Sequence, residues 1–235
     1  WKSAAGVPAR TLYLSSRWTM HLVRAGCLIA SIGTLFLSLT YVPLVDATAV
    51  MFMSPLFVNL LAGPLLGERV GLHRWLGIFA GLVGIVIIVQ PQGTGFDWPI
   101  LLAVAAAVFF ALFQILTRSL AATESTLTTL FYTGFGGALC SSMLVPFVWQ
   151  PLSFKHASIF LGLGALGVGA HFAYIKAFQH AEASFLAPFT YSKILWTTAL
   201  GYLLFHHLPG SSVLVGAALI IGGGIYVFWR EANVG

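Results

Sequence analysis

Long apolar runs recur along this chain, each of roughly 18 to 23 residues, the length an α-helix needs to cross the hydrocarbon core of a bilayer. Backbone in lipid finds no water to bond, so such runs fold as helices that satisfy their own hydrogen bonds. Eight of them stand at approximately 20–41, 46–66, 72–89, 98–117, 127–148, 157–178, 183–205 and 212–229, joined by short connectors that suit antiparallel neighbours. Hydrophobic residues make up 59% of the chain and charged ones 7%, where soluble domains carry about 25% charged residues. The fold class expected is an all-α polytopic membrane protein with eight transmembrane helices.

Basic residues orient it. With the first connector, 1–18, placed in the cytoplasm, the inner side holds Lys2, Arg10, Arg17, Arg24, Arg69, Arg74, Arg118 and Arg230, and the outer side holds Lys155. The positive-inside rule then puts both observed ends, including the tail 230–235, in the cytoplasm. Lys176 is near enough to the inner end of its helix to snorkel to the headgroups. That leaves Lys193 as the basic residue with no interface to reach, and an ammonium at that depth costs about 2.5 to 3.5 kcal/mol unless it faces protein or water. The net charge of +5 does not imply a nucleic-acid partner, because the basic residues sit singly at the ends of apolar runs and form no patch. Cys27 and Cys140 lie inside apolar runs and read as small buried hydrophobes, not as a disulfide. The chain starts at Trp1 and shows no secretory signal, so a truncated N-terminus is expected.

The same chain reads as built twice. Setting Leu203 and Leu204 on Leu65 and Leu66 gives an offset of 138 positions that carries 20–41 onto 157–178 and 46–66 onto 183–205. After a one-residue slip it also carries Gly77 onto Gly216 and Gly84 onto Gly223. The spans at 98–117 and 127–148 would map before residue 1, so a complete first copy requires about 40 more residues and two more helices. The expected organisation is a cytoplasmic connector at 1–18, the last three helices of a first repeat at 19–90, a second five-helix repeat at 98–229 and a cytoplasmic tail at 230–235. With five spans per copy the second enters the membrane in the opposite sense. Inverted-topology repeats of this kind frame a midplane site in secondary transporters.

These residues carry a family resemblance. The run SPLF at 54–57, LLGER at 65–69, RWLG at 74–77 and GLVGIVIIV at 81–89, echoed by APFTYSKILW at 187–196 and GYLLF at 201–205, resembles EamA-type members of the drug/metabolite transporter superfamily. The resemblance covers essentially the whole chain. It implies ten helices in two inverted five-helix repeats, alternating access, an inner-membrane location and the movement of a small metabolite or drug, with efflux as the expected direction. Two departures stand out: the first two helices are absent, and Gly67-Glu68 becomes Phe205-His206 in the second copy.

Several residues are candidates for the site. Around Lys193, the positions three and four residues away are Phe189, Thr190, Trp196 and Thr197, so one helical face offers an ammonium, two hydroxyls and two aromatic rings. That face suits a polar small molecule; the plainer reading is a lysine bonded to backbone carbonyls. In the first copy the matching positions include Phe52, Pro55 and Asn59, and Asn59 either faces the same cavity or bonds a neighbouring helix. His171, with Tyr174 one turn on, is a candidate acid or base for coupling, against the commoner case of a packing histidine. Gln114 is a candidate for an exit path, or for a helix-packing hydrogen bond. Pro55 and Pro188 each remove an intrahelical hydrogen bond and mark a kink or hinge. His206 and His207 are adjacent, the wrong spacing for two ligands on one helical face, so no metal site is expected.

The glycines at 162–169 and 222–224 read as close-packing surfaces, since no Gly-Lys-Ser/Thr follows them, which disfavours an ATP-driven pump. No nucleophile elbow and no His-Glu-x-x-His motif occurs, so the chain reads as no enzyme and no cofactor is implied. The functional expectation is a secondary transporter, an exporter by resemblance, of a small polar or anionic organic molecule. A truncated or accessory membrane subunit is the alternative, with an intramembrane enzyme behind it. The partners expected are the small-molecule substrate and the lipid bilayer, with a proton as candidate coupling ion through Lys193 or His171. Asp46, Glu68, Asp97, Glu124, Glu182 and Glu231 all stand at span ends or in connectors. The sequence therefore predicts that Lys193 selects anionic or carboxylate-bearing substrates over simple cations.

Overall fold

The computed structural model describes residues 15–42, 44–89, 98–148, 151, 153–205 and 211–234. Among them every regular element is helical: α1 (Trp18–Ser38), α2 (Leu44–Met51), α3 (Ser54–Leu66), α4 (Leu72–Val89), α5 (Ile100–Ala121), α6 (Thr126–Val148), α7 (Phe154–His180), α8 (Ala183–Leu186), a 3-10 segment (Ala187–Tyr191), α9 (Ser192–Phe205) and α10 (Ser211–Val234). Among the described residues four stretches are unbroken and long and apolar enough to cross a membrane, Trp18–Ser38, Ile100–Ala121, Thr126–Phe147 and Phe154–His180. Large apolar side chains point outward from them, with Phe154 91% and Leu161 76% exposed on α7. Such a surface is a liability in water and the natural boundary in lipid. The protein is an integral membrane protein of the all-α class.

Local chemistry sets the ends of these helices. Ser125 accepts the amide of Thr128 at 3.0 Å at the start of α6, and Ser153 caps α7 by accepting from His156. At the end of α3, Gly67 adopts φ 71, and the amides of Gly67 and Glu68 donate to the carbonyls of Gly63 and Ala62 at 3.0 and 3.2 Å. That left-handed turn suits glycine and directs the chain sharply away from the helix.

The two spans expected at 46–66 and 183–205 are each interrupted. The first stops at Met51, turns through Phe52 and Met53, and restarts at Ser54 with Pro55 in its opening turn. The second runs as one turn of α8, then the 3-10 segment with Pro188 in its first turn, then α9. Proline within a helix loses a hydrogen bond and clashes with the carbonyl four residues back, whereas in a first turn its missing N–H leaves nothing unpaired. Restarting the helix at the proline is therefore cheaper than carrying a helix through it. Residues 90–97 and 206–210, which include most of the expected breaker and both His206 and His207, lie outside the described residues, as does most of the connector 1–18.

The chain divides into two compact units, Trp1–Ile29 with Leu116–Ala181 and Ala30–Ile115 with Glu182–Gly235. The second draws on both expected repeats, so the repeat is a unit of sequence and the compact body is a unit of packing. Within it, α4 and α10 pack most closely. A β-carbon on Gly84 would stand 2.7 Å from the carbonyl oxygen of Gly216, and one on Gly223 would stand 3.2 Å from the carbonyl oxygen of Gly77. Low-numbered positions of α4 meet high-numbered positions of α10, so the two helices run antiparallel with backbones in direct contact. Elsewhere in this unit the Ser31 hydroxyl donates to the Ala106 carbonyl at 2.9 Å, joining α1 to α5.

Substituting leucine for Gly84 or Gly216 should lower stability by about 1 to 3 kcal/mol through overpacking. Gly164→Ala on α7 should leave stability within about 0.5 kcal/mol of the parent, since nothing lies within 4 Å of that position. Thermal unfolding of the detergent-solubilised protein distinguishes the two cases.

Candidate functional site

The two helix breaks meet at one cavity of about 180 Å³ in the second unit. Thr48 and Met51 of α2, Phe52 of the first break and Ser54 of α3 form one wall. Thr190 of the 3-10 segment and Lys193 of α9 form another, and Leu35 of α1 and Phe110 of α5 complete the lining. The lining residues carry among them one ammonium, three hydroxyls and two aromatic rings, the Thr48 hydroxyl donating to the Leu44 carbonyl at 2.6 Å. Lys193 is exposed and Thr190 half-buried. Irregular backbone at membrane depth is tolerated where protein buries it or where it lines a cavity, and here the latter holds for both breaks.

The remaining sequence candidates are placed differently. Trp196 lies on the same helix as Lys193 but is 70% exposed and does not line the cavity. The side chain of Thr197 lies outside the described residues. Asn59, 3% exposed on α3, buries both amide atoms without a hydrogen-bond partner among the described residues, and Gln114, 2% exposed on α5, does so with its Nε2. Neither lines the cavity. Pro55 and Pro188 stand at the restarts of the two broken helices and are both buried.

His171 and Tyr174 belong to the first unit, where the structure reveals a polar centre that the sequence reading missed. Arg24, counted in the sequence among residues at the inner interface, is fully buried. Its guanidinium donates to the Thr117 hydroxyl at 3.0 Å, to the Thr129 carbonyl at 2.9 Å and to the Thr133 hydroxyl, tying α1 to α5 and α6. One turn before it, His21 is also fully buried and stacks on Tyr132, with ring centroids 4.5 Å apart and 10° between planes. His171 and Tyr174 stand one turn apart on α7, where the Tyr174 ring meets Phe178 edge-on with centroids 4.9 Å apart. A long basic side chain within two turns of a helix end can reach either the headgroups or the bundle interior. The available signal was the threonine-rich start of α6, whose hydroxyls and backbone give a guanidinium its acceptors.

A second group missed by the sequence reading lies at the start of α8. The Glu68 carboxylate accepts the amides of Ala183 and Ser184 at 2.9 and 3.0 Å and the Ser184 hydroxyl at 2.6 Å. Arg74 pairs with Glu182 at 2.5 Å and donates to the Ser184 hydroxyl.

Fold and cavity together define an integral helical membrane protein built around interrupted helices. The profile of the EamA-like transporter family matches residues 9–90 and again 97–229. An S-adenosylmethionine uptake transporter of Rickettsia prowazekii (strain Madrid E) is 31% identical over 92% of this chain and 74% of its own length. A riboflavin transporter of Vibrio cholerae is 30% identical over 86% of this chain and 68% of its own, and a pseudopaline exporter of Pseudomonas aeruginosa is 25% identical over 79% and 66%. A solved crystal structure shares the fold, with a TM-score of 0.78 at 24% identity over 94% of this chain and 81% of that one. The chain belongs to the EamA-like transporter family. These relatives are named as transporters and not as enzymes, which sets aside the enzyme alternative.

Replacing Arg24 by Leu would strand buried acceptors on α5 and α6, and the expected loss is about 2 to 5 kcal/mol of stability. Arg24→Lys should recover only part of it, because a point charge cannot reproduce the planar fork that reaches three acceptors. Unfolding midpoints of the two variants and the parent check this order.

Proposed function

We propose that the chain forms the substrate-bearing part of a secondary transporter for a small organic molecule with an anionic group. The observation that carries this reading is the cavity at the junction of two broken helices, with the Lys193 ammonium on its wall among hydroxyls and aromatic rings. Lys193 holds the anionic group through a charge-assisted hydrogen bond. Thr48, Ser54 and Thr190 orient its polar edge, and Phe52 and Phe110 cover its apolar body.

Alternating access between two inverted five-helix repeats is the accompanying mechanism. Its support is the contact of α4 with α10, the pair that the sequence offset equates. Gly77 meets Gly223 and Gly84 meets Gly216, so repeat-equivalent glycines exchange partners as a half-turn would require. Asn59, Gln114, Trp196 and Thr197 remain proposed contacts for other stages of the cycle. His171 and Tyr174, one turn apart on α7 in the unit that also holds Arg24, are the proposed place for a coupling proton. The setting is the inner membrane with both observed ends in the cytoplasm, on the asymmetry of basic residues. Export is the direction implied by the family resemblance. Relatives are named for uptake as well as for export, so one cycle serves either direction under its driving gradient.

Lys193→Met, Lys193→Arg and the parent are to be compared in proteoliposomes for matched anionic, zwitterionic and cationic metabolites. Loss of one charge-assisted bond should cut transport of the anionic compound by about ten- to a hundredfold in Lys193→Met, with Lys193→Arg between the two and the cation unaffected. Equal handling of all three classes by Lys193→Met at normal protein levels would make the lysine structural.

A further inference from the structure

The start of α8 is capped from the far side of the sequence. Its own N-cap residue, Glu182, makes no side-chain capping bond. The capping acceptor is Glu68, more than a hundred residues upstream, with Arg74, only 7% exposed, holding Glu182 and Ser184 from the first turn of α4. Gly67 creates the arrangement, because its left-handed turn ends α3 immediately before Glu68.

We propose that Glu68 and Arg74 are positioning residues for the Lys193 cavity. They clamp the first turn of α8 and thereby set where Thr190 and Lys193 sit. A helix of four residues has little stability of its own, since nucleation is its costly step. The 3-10 segment that follows has hydrogen bonds of poorer geometry than an α-helix. Ala183–Tyr191 therefore takes its position from what holds it, and two of its holds bear on the cavity wall. One is the clamp on Ala183 and Ser184. The other is the Tyr191 ring, which lies against Gly81 and packs on Phe52. Thr190 and Lys193 flank that second hold; the clamp comes from the first copy of the repeat, and the Tyr191 cluster joins Phe52 and Ile85 of the first copy to Ile220 of the second. Removing the charge of Glu68 or Arg74 frees the α8 end of the segment, leaves the Tyr191 contact in place and lets the cavity wall move. The link to transport rests on the proposed substrate role of Lys193; the positioning itself does not.

The test uses the full chain with Cys27 and Cys140 replaced by serine and a single reporter, Thr190→Cys, labelled by a charged methanethiosulfonate reagent without substrate. Lys155→Cys, exposed at the start of α7, serves as reference. Glu68→Gln and Arg74→Gln should each raise the labelling rate at position 190 relative to the reference by about tenfold, the factor expected when one charge-assisted bond is lost. Ser184→Ala, which leaves both backbone bonds to Glu68 intact, should give a smaller rise, and Glu68→Asp should restore part of the parent rate. Unchanged labelling across the series, with or without a lowered unfolding temperature, overturns the proposal and leaves the clamp as a fold-holding contact. Should Glu68→Gln fail to accumulate, Arg74→Lys and Ser184→Ala decide the matter by the same rates. Equal transport by Lys193→Met would remove the substrate reading and leave this result standing.

Discussion

Backbone that leaves the α-helical pattern inside a membrane must be covered, and in this protein α4 provides much of the cover. Tyr191 of the 3-10 segment rests against Gly81, and its ring packs 6.2 Å from that of Phe52, the residue at the other break. Ile85 of α4 and Ile220 of α10 close the same buried cluster. The two interruptions are thus joined through an aromatic contact, over a helix whose glycine lets them approach. The antiparallel glycine contact with α10 holds that helix in turn. Side chains at Gly77, Gly81 or Gly84 would push apart the elements that bring Thr190 and Lys193 to the cavity.

Among the cationic side chains of the spans, Arg24 and Lys193 differ in chemistry, and that difference divides the work. Arg24 is enclosed and spends its planar donors on fixed acceptors of α5 and α6, the kind of use a rigid fork favours. Lys193 sits on a flexible stem at the wall of a cavity, where a compact charge can take up and release a partner. We read the first as a structural pin with a coupling role proposed for its surroundings, and the second as the contact for substrate.

Much of the fold was legible in the sequence because lipid leaves a chain few options. Apolar runs of spanning length become helices, and all eight fall on helical stretches among the described residues. The helix breaks were less legible, because a proline within an apolar run signals a lost hydrogen bond without saying whether the helix bends or restarts. Thr190 and Lys193, three residues apart, were named from the sequence because local periodicity places them together, and both line the cavity although the first stands on the 3-10 segment and the second on α9. Arg24, Glu68 and Arg74 were missed for the opposite reason. Their partners stand some 90 to 116 positions away, and a charged residue near a helix end looks the same whether it faces headgroups or another helix.

The central claim is that substrate binds where the two broken helices meet. An experimental structure of the longest natural form of this protein, solved with a transported metabolite bound, measures it most directly. An anionic oxygen of the metabolite is expected roughly 2.7 to 3.2 Å from Lys193 Nζ, with its apolar part between Phe52 and Phe110. A metabolite bound elsewhere, with Lys193 Nζ engaged by backbone carbonyls throughout, would contradict it.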